Sequence, residues 1–261
     1  MKQNPQTVKQ IEELLRCASP KDFAALKRSL AADTRKGVIR ALDVAERRIK
    51  AQEAEAKRLK SLYDFDGAFS ASCVIGLDEV GRGPLVGPLA VGGVVLDPQV
   101  FIEGLNDSKQ IPETKRDSLT QQIKDCSLAW TVRFVEPSEI DAQGMTFCLR
   151  KAFSQAIQDI ESNGFQVDLI LLDGNPLHLD KREHNVIKGD AKSASIAAAS
   201  LIAKVERDAL MRDYARSFPV YDFEHNKGYA SETHIAAIRE HGLSKIHRKS
   251  FCTAFLQETL F

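Results

Sequence analysis

The sequence predicts an α/β fold, a sheet flanked by helices with an added all-helical segment in front, and three observations predict it. Residues 1 to about 63 carry helical signals and no strand signal. From Cys73 onward, short β-prone runs alternate with stretches of helical spacing. One run, "DLILLDG", is apolar almost without interruption, the pattern of a central strand buried on both faces.

Taken in order, Ser19, Pro20 and Asp22 supply an N-cap, a proline at the first helical position and an acid in the first turn, opening a helix over "PKDFAALKRSLAA". Asp33 is placed to cap the next. From Thr34 to about Leu62 the pattern is long and charge-laced, with Glu46/Lys50 and Glu53/Lys57 four apart in the favourable order. Apolar positions there are sparse, which predicts a helix exposed on most sides. Residues 1–70 therefore read as a basic helical extension and 71–261 as the body. The extension holds 15 Lys and Arg against 10 Asp and Glu, although the whole chain is neutral at 36 against 36. A basic arm on an acidic body suits nucleic acid or another anionic surface, and a plain solvated helical face explains it as well. The body opens with three β-prone runs, "CVIGLDE", "PLAVGGVVL" and "LAWTVRFV". A helix over 145–162, a strand over 167–174, a short run over 184–189 and a long helix over 193–218 follow. The small residues of "SASIAAAS" suit a close contact between that last helix and the sheet.

Hydrophobic content of 43% with 28% charge argues for a folded domain and against disorder. The cysteines, at 17, 73, 126, 148 and 252, are scattered and form no C-x-x-C pair, which fits a reducing compartment and neither a disulfide framework nor a zinc knuckle. The N-terminus lacks the apolar stretch of a secretory signal, and no run nears the roughly 20 apolar residues of a membrane span. A cytoplasmic protein with no membrane association is the expectation. A monomer is expected too, since no coiled-coil seam or apolar patch is legible.

Four acids each end an apolar segment: Asp78 and Glu79 after "VIGL", Asp173 after "LILL", and Asp190 after "VIKG". In open α/β sheets, sites collect at strand ends. Gathered there, four carboxylates cannot all stay ionised without compensation, so the cluster implies raised pKa values or bound cations. Hard oxygen donors in that number suit Mg²⁺ or Mn²⁺, and two such ions about 3.5–4 Å apart would serve a phosphodiester displacement. Adjacent strand residues face opposite sides, so Asp78 and Glu79 share a site only where the strand ends or bulges, a break that Gly81 and Gly83 supply. Plainer roles compete: Asp190 as a helix cap, and Asp173 as a turn former before Gly174.

"GRGPLVG" matches neither G-x-G-x-x-G nor G-x-x-x-x-G-K-[ST], so as a nucleotide-binding signal it is weak. Gly81 and Gly83 suit close approach of the backbone to a substrate, with Arg82 reaching a phosphate, and a purely structural turn is the alternative. Lys109 sits in a short polar loop, Lys192 beside Asp190, and Tyr229 after a glycine; singly, each reads as surface sooner than as site. The histidines show no H-x-x-x-H or H-E-x-x-H pairing and no G-x-S-x-G exists, which disfavours a zinc hydrolase and a serine triad.

In combination, "GLDEVGRGPLVGPLAVGGVVL", "NDSKQI", "LILLDG", "IKGDAKSASIAAASLIAKVERD" and "YDFEHNKGYASETHIAAIREHGLSKIHRKSF" resemble the ribonuclease HII family, the type 2 ribonucleases H, in the family's order across about residues 73–251. The resemblance implies a ribonuclease H-like mixed sheet with a C-terminal helical portion, and a Mg²⁺ or Mn²⁺ site of Asp78, Glu79, Asp173 and Asp190, holding two ions when substrate is bound. It implies endonucleolytic cleavage of the RNA strand of RNA·DNA hybrids, and of duplex DNA 5′ of a single embedded ribonucleotide, leaving 3′-hydroxyl and 5′-phosphate ends. Ribonucleotide and RNA primer removal, in DNA repair and replication, would be its role. Gly81, Arg82 and Gly83 would read the 2′-hydroxyl through backbone contacts, the group that separates ribose from deoxyribose. Tyr229 would pack on the next sugar, and Lys109 and Lys192 would face the nucleic acid. Two features depart from the family's common pattern. Ala230 and Ser231 stand where the family often has Gly-Thr, and the helical extension lies outside the common core, where its charge is expected to add duplex affinity. The competing readings are a ribonuclease HIII-like enzyme without junction preference and a nucleic-acid-binding module without activity.

Overall fold

Each helical signal of the N-terminal stretch becomes a helix in the computed structural model, which describes residues 6–256. They are α1 (Val8–Cys17), α2 (Pro20–Ser29) and α3 (Lys36–Gly67). The Ser19 hydroxyl accepts the Asp22 N–H and caps α2 as its sequence predicts. Asp33 takes a different role: three residues before the start of α3, its carboxylate accepts the Arg35 N–H at 3.1 Å and the Arg35 guanidinium. The chain divides into two compact units, Met1–Arg58 and Leu59–Phe261. Within the first, Ile11, Leu15, Phe23, Leu30, Val38, Ala45 and Ile49 make a core of their own.

α3 is less exposed than its charge pattern predicts. Only residues 50–57 are exposed in an unbroken run; past them Leu59, Leu62 and Tyr63 are buried among Ile102, Leu105, Ile111 and Ile202 of the second unit. The sparse apolar positions are grouped at the ends of the helix, where each group finds a core.

The second unit carries a five-stranded sheet in the order β3-β2-β1-β4-β5. The strands are β1 (Val74–Val80), β2 (Leu89–Leu96), β3 (Ser127–Val135), β4 (Leu169–Asp173) and β5 (Glu183–Val186). β1 runs antiparallel to β2 and parallel to β4, so the sheet is mixed, as expected. Between β2 and β3 lies α4 (Glu113–Cys126), which the sequence pattern does not announce: it buries only Leu119, Thr120 and Ile123, too few for a readable stripe. After β3 come α5 (Pro137–Gln143) and α6 (Met145–Ser162), and after β5 the long α7 (Ala194–Ser217). α8 (Phe223–Asn226), α9 (Glu232–His241) and α10 (Lys249–Leu256) close the described chain.

Helices α6 and α7 cover opposite faces of the sheet. On one face Ile75, Leu77, Leu89, Val91, Ile170 and Leu172 meet Leu149, Phe153, Ile157 and Ile160 of α6. On the other, glycine replaces side chains where α7 lands. A Cβ on Gly76 would lie 2.1 Å from the Ser195 carbonyl carbon, and one on Gly92 would lie 2.3 Å from the Ala199 oxygen. The close contact expected of "SASIAAAS" is therefore real, and it seats the start of α7 on β1 and β2. The last helices gather around the segment after β1, with Leu85 and Val86 buried among Met211, Tyr221, Phe223, Ile238, Ile246 and Cys252.

Candidate active site

Strand β1 carries Asp78 and Glu79 into its last residues. Pairing with β2 is regular as far as Val80↔Ala90, so the break expected at the carboxylates falls after Val80. The two side chains consequently leave opposite faces of the strand. Asp78 shares the α7 face with Gly76, is 8% exposed, and is hydrogen-bonded by Ser200 of α7. Its Oδ1 also accepts the Glu79 N–H at 2.7 Å. Ser200 in turn pairs with the buried Ser108 hydroxyl at 3.2 Å.

Parallel pairing sets Leu77 beside Leu172, so the next residues, Asp78 and Asp173, come out side by side at the strand ends. Asp173 Oδ1 accepts the Gly189 N–H at 2.6 Å, which ties the end of β4 to the short 3₁₀ turn Gly189–Ala191 that bears Asp190. The turn-forming role that competes for Asp173 gives way to this longer-range bond. The capping role that competes for Asp190 is filled by Ser193, whose hydroxyl accepts the Ile196 N–H at 3.2 Å.

These acids feel one another. Burial pushes the Asp78 carboxyl well above the usual carboxylate range, and the charges of Glu79 and Asp173 push the same way against the Ser200 and Glu79 hydrogen bonds. Burial also raises Glu79, opposed by Arg82 and reinforced by Asp173. Asp190 is raised by burial and by Asp107 and Asp173, with Lys109 opposing. Three carboxyls that hold protons above their normal range mark a deficit of positive charge. The donor set, all hard carboxylate oxygen, fits Mg²⁺ or Mn²⁺. Among the described residues no three His, Cys, Asp or Glu side chains already converge on one ion position.

The glycine turn follows directly. Gly81 has φ +86° and is buried against Arg207, with 2.2 Å between a Cβ built there and Arg207 Nε, so only glycine fits. Arg82 is exposed and lies 3.6 Å from Glu79. A Cβ on Gly83 would lie 3.8 Å from the Tyr229 ring, which brings the half-exposed tyrosine over the turn. Lys109 has an exposed side chain whose charge reaches Asp190, and Lys192 closes the Asp190 turn with an exposed side chain of its own. Ser231 is the N-cap of α9, accepting the His234 N–H at 3.2 Å, so the hydroxyl at that position has a local structural task.

Sequence reading missed the frame behind these residues. Arg207 and Arg248 are 1% and 0% exposed, and both spend their donors on backbone carbonyls. Arg207 bonds the carbonyls of Val86, Pro88 and Lys227; Arg248 bonds those of Gly81, Arg82, Pro84 and Gly87. Burial, with Arg207 adding to it, pulls the Arg248 guanidinium down to about 9. A buried histidine pair holds Tyr229. The Ser244 N–H reaches His247 Nδ1 at 2.9 Å, the two Nε2 atoms are 3.2 Å apart, and His234 Nδ1 lies 2.8 Å from the Tyr229 carbonyl. Because Ser244 donates, one tautomer order satisfies the chain: His247 Nε2–H donates to His234 Nε2, and His234 Nδ1–H donates to Tyr229. The sequence carries no clear signal for this frame, since Arg207 sits in the charged run KVERD and His247 and Arg248 in the polar stretch SKIHRKS.

Comparison with known proteins places these features in a family. The model of "Ribonuclease HII" matches residues 75–254, and that of "Ribonuclease HII N-terminal domain" matches residues 7–70. The chain is 42% identical over 230 residues to the ribonuclease HII of Clostridium beijerinckii, covering 86% of this chain and 84% of that protein. Among solved structures it is similar to ribonuclease H2 from Pyrococcus horikoshii, with TM-score 0.58 and 26% identity over 71% of this chain and all of that one. It is also similar to the structure of the PCNA:RNase HII complex from Archaeoglobus fulgidus, with TM-score 0.60 and 25% identity over 72% of this chain and 98% of that one.

Proposed function

Because the chain belongs to the ribonuclease HII family, hydrolases that act on the RNA of RNA·DNA hybrids, we propose that it also cuts duplex DNA on the 5′ side of a single embedded ribonucleotide, leaving 3′-hydroxyl and 5′-phosphate ends. One observation carries the reading: the strand that bears Asp78 and Glu79 runs straight into a turn whose Gly83 lies beside the Tyr229 ring. A ribose detector and a phosphodiester-cutting centre would then be a few residues apart on one element.

Asp78, Glu79, Asp173 and Asp190 would hold Mg²⁺ or Mn²⁺. Bound there, divalent ions lower the pKa of an attacking water and stabilise the departing oxygen. The rest falls to the chain. Ser200 and the Glu79 N–H orient the Asp78 carboxylate, and the Gly189 N–H orients Asp173. The backbone of Gly81, Arg82 and Gly83 meets the ribose, Tyr229 offers its ring to the following sugar, and Lys109 and Lys192 present positive charge to the phosphates near Asp190. The extension of residues 1–70 adds affinity for the duplex without reading its sequence. Removal of embedded ribonucleotides and of RNA primers is the task this chemistry serves.

The test is cleavage of a labelled DNA duplex with one ribonucleotide, with Mg²⁺ or Mn²⁺, with EDTA, and with Asp78→Asn. A metal-dependent cut immediately 5′ of the ribonucleotide, slowed by at least about a hundredfold in Asp78→Asn, is expected. Cleavage of a long RNA·DNA hybrid with none at the single ribonucleotide would remove the proposed role of the Gly81–Gly83 turn.

A further inference from the structure

The turn that follows β1 is held from behind by one side chain. Arg248 has five N–H donors, and all five are used: Nε and one Nη2 bond reach Gly87 O at 3.0 and 2.8 Å, the second Nη2 bond reaches Gly81 O at 2.7 Å, and the two Nη1 bonds reach Arg82 O and Pro84 O at 3.1 and 3.0 Å. Among the described residues no carboxylate is hydrogen-bonded to this guanidinium, which is fully buried and has only carbonyl oxygens as hydrogen-bond partners. Phe251 covers its plane, with the ring centroid 5.3 Å away.

This arrangement decides what the turn shows to the outside. The described peptide bonds are all trans. In a trans unit the N–H points away from the C=O of the same plane. Turning the carbonyls of Gly81 and Arg82 inward onto Arg248 therefore turns the N–H groups of Arg82 and Gly83 outward. Arg82 and Gly83 are the exposed residues of the turn, while Gly81 and Pro84 are buried. Among the described residues, neither N–H is spent on a protein acceptor. Two free donors consequently stand side by side on the surface, on residues whose neighbours are Glu79, 3.6 Å from the Arg82 guanidinium, and the Tyr229 ring, 3.8 Å from a Cβ built on Gly83.

We propose that Arg248 is the positioning residue for ribose recognition: its saturated fork fixes the two peptide planes so that the Arg82 and Gly83 N–H groups are aimed, before substrate arrives, at the oxygen that ribose has and deoxyribose lacks. The inference rests on the reading of the Gly81–Gly83 turn given under Proposed function. A planar fork is needed because four carbonyls must be met at once in fixed directions, which a lysine ammonium cannot do. Arg207 packs against Gly81 but holds neither of these two carbonyls, since its own partners are those of Val86, Pro88 and Lys227.

The experiment measures binding rather than turnover, in the full chain carrying Asp78→Asn to prevent cleavage. Dissociation constants are compared for a DNA duplex with one ribonucleotide and for the same duplex made entirely of DNA. Asp78→Asn alone should favour the ribonucleotide duplex; equal affinities there would overturn the reading of the turn itself. Adding Arg248→Lys should reduce that preference by about tenfold, to near unity, while all-DNA affinity changes by less than about twofold. Adding Phe153→Leu, an equally buried change in the core that α6 makes with the sheet, should leave the preference intact. Preference retained in Arg248→Lys, or lost equally in Phe153→Leu, would overturn the assignment to Arg248 and leave the turn reading standing. If the lysine variant does not fold, Arg248→Gln, which buries no charge and keeps two donors, carries the same comparison with the same two outcomes.

Discussion

At the scale of single residues, the site is built from groups whose charge state the fold controls. His247 shows it most clearly. Burial, with His234 adding to it, lowers its pKa from 6.5 to about 4, so the folded protein keeps the ring neutral while the unfolded chain protonates it. The unfolded state therefore binds more protons between those values, and stability contributed by the neutral ring falls as pH drops from 6.5 toward 4. Denaturant unfolding across that window should show a shallower loss of stability in His247→Gln, whose amide can still accept from Ser244 and donate to His234, than in the wild type. Identical slopes would mean that the pair is not held neutral. Of these residues, the acids were legible in the sequence because a charge at the end of an apolar run has few structural excuses. Arg207 and Arg248 were not, because a buried arginine satisfied by carbonyls leaves no partner in the text to give it away.

Among the elements, the contact of α7 with the sheet does most to set the geometry. Gly76 and Gly92 remove side chains under α7, and this closeness is what lets Ser200 reach Asp78. Gly76→Ala would drive a methyl into the Ser195–Ile196 peptide, where the three nearest atoms lie between 2.1 and 2.5 Å. Overpacking against rigid backbone should cost about 3 kcal/mol or more, read from chemical denaturation, with cleavage slowed as α7 shifts. Gly67→Ala, with nothing within 4 Å of the added methyl, should change stability by less than about 1 kcal/mol. The sequence announced β1, β2, β4 and α7 through apolar runs and small residues. It did not announce α4, whose three buried residues give no periodic stripe, nor the regular pairing that carries β1 through both acids. The glycines promised a break; register with β2 decided where it falls.

On the scale of the whole molecule, the two compact units divide within α3, at Arg58 and Leu59, inside the basic stretch of residues 1–70. Leu59, Leu62 and Tyr63 belong to the core of the second unit, and the half-buried Asp66 accepts the Ser195 N–H at 2.8 Å at the start of α7. Removing residues 1–58 should leave a folded enzyme, whereas removing 1–66 strips three core side chains, each worth about 2 kcal/mol, and should lower the melting temperature sharply. In the shorter deletion, weaker duplex binding and a shallower dependence of log K on log salt are expected; an unchanged slope would assign the positive charge of the arm to solvation alone. A last consequence concerns the order in which these parts are made. The segment after β1 is fastened by residues far downstream: Leu85 N–H to Gly228 O, Gly87 N–H to Ile246 O, and Arg248 N–H to Leu85 O. As the chain leaves the ribosome, all four acids emerge by residue 190, some sixty residues ahead of the clasp. A chain that has emerged only as far as residue 190 would thus carry all four acids with the turn behind them still unfastened, because the holding contacts come from residues 228, 246 and 248.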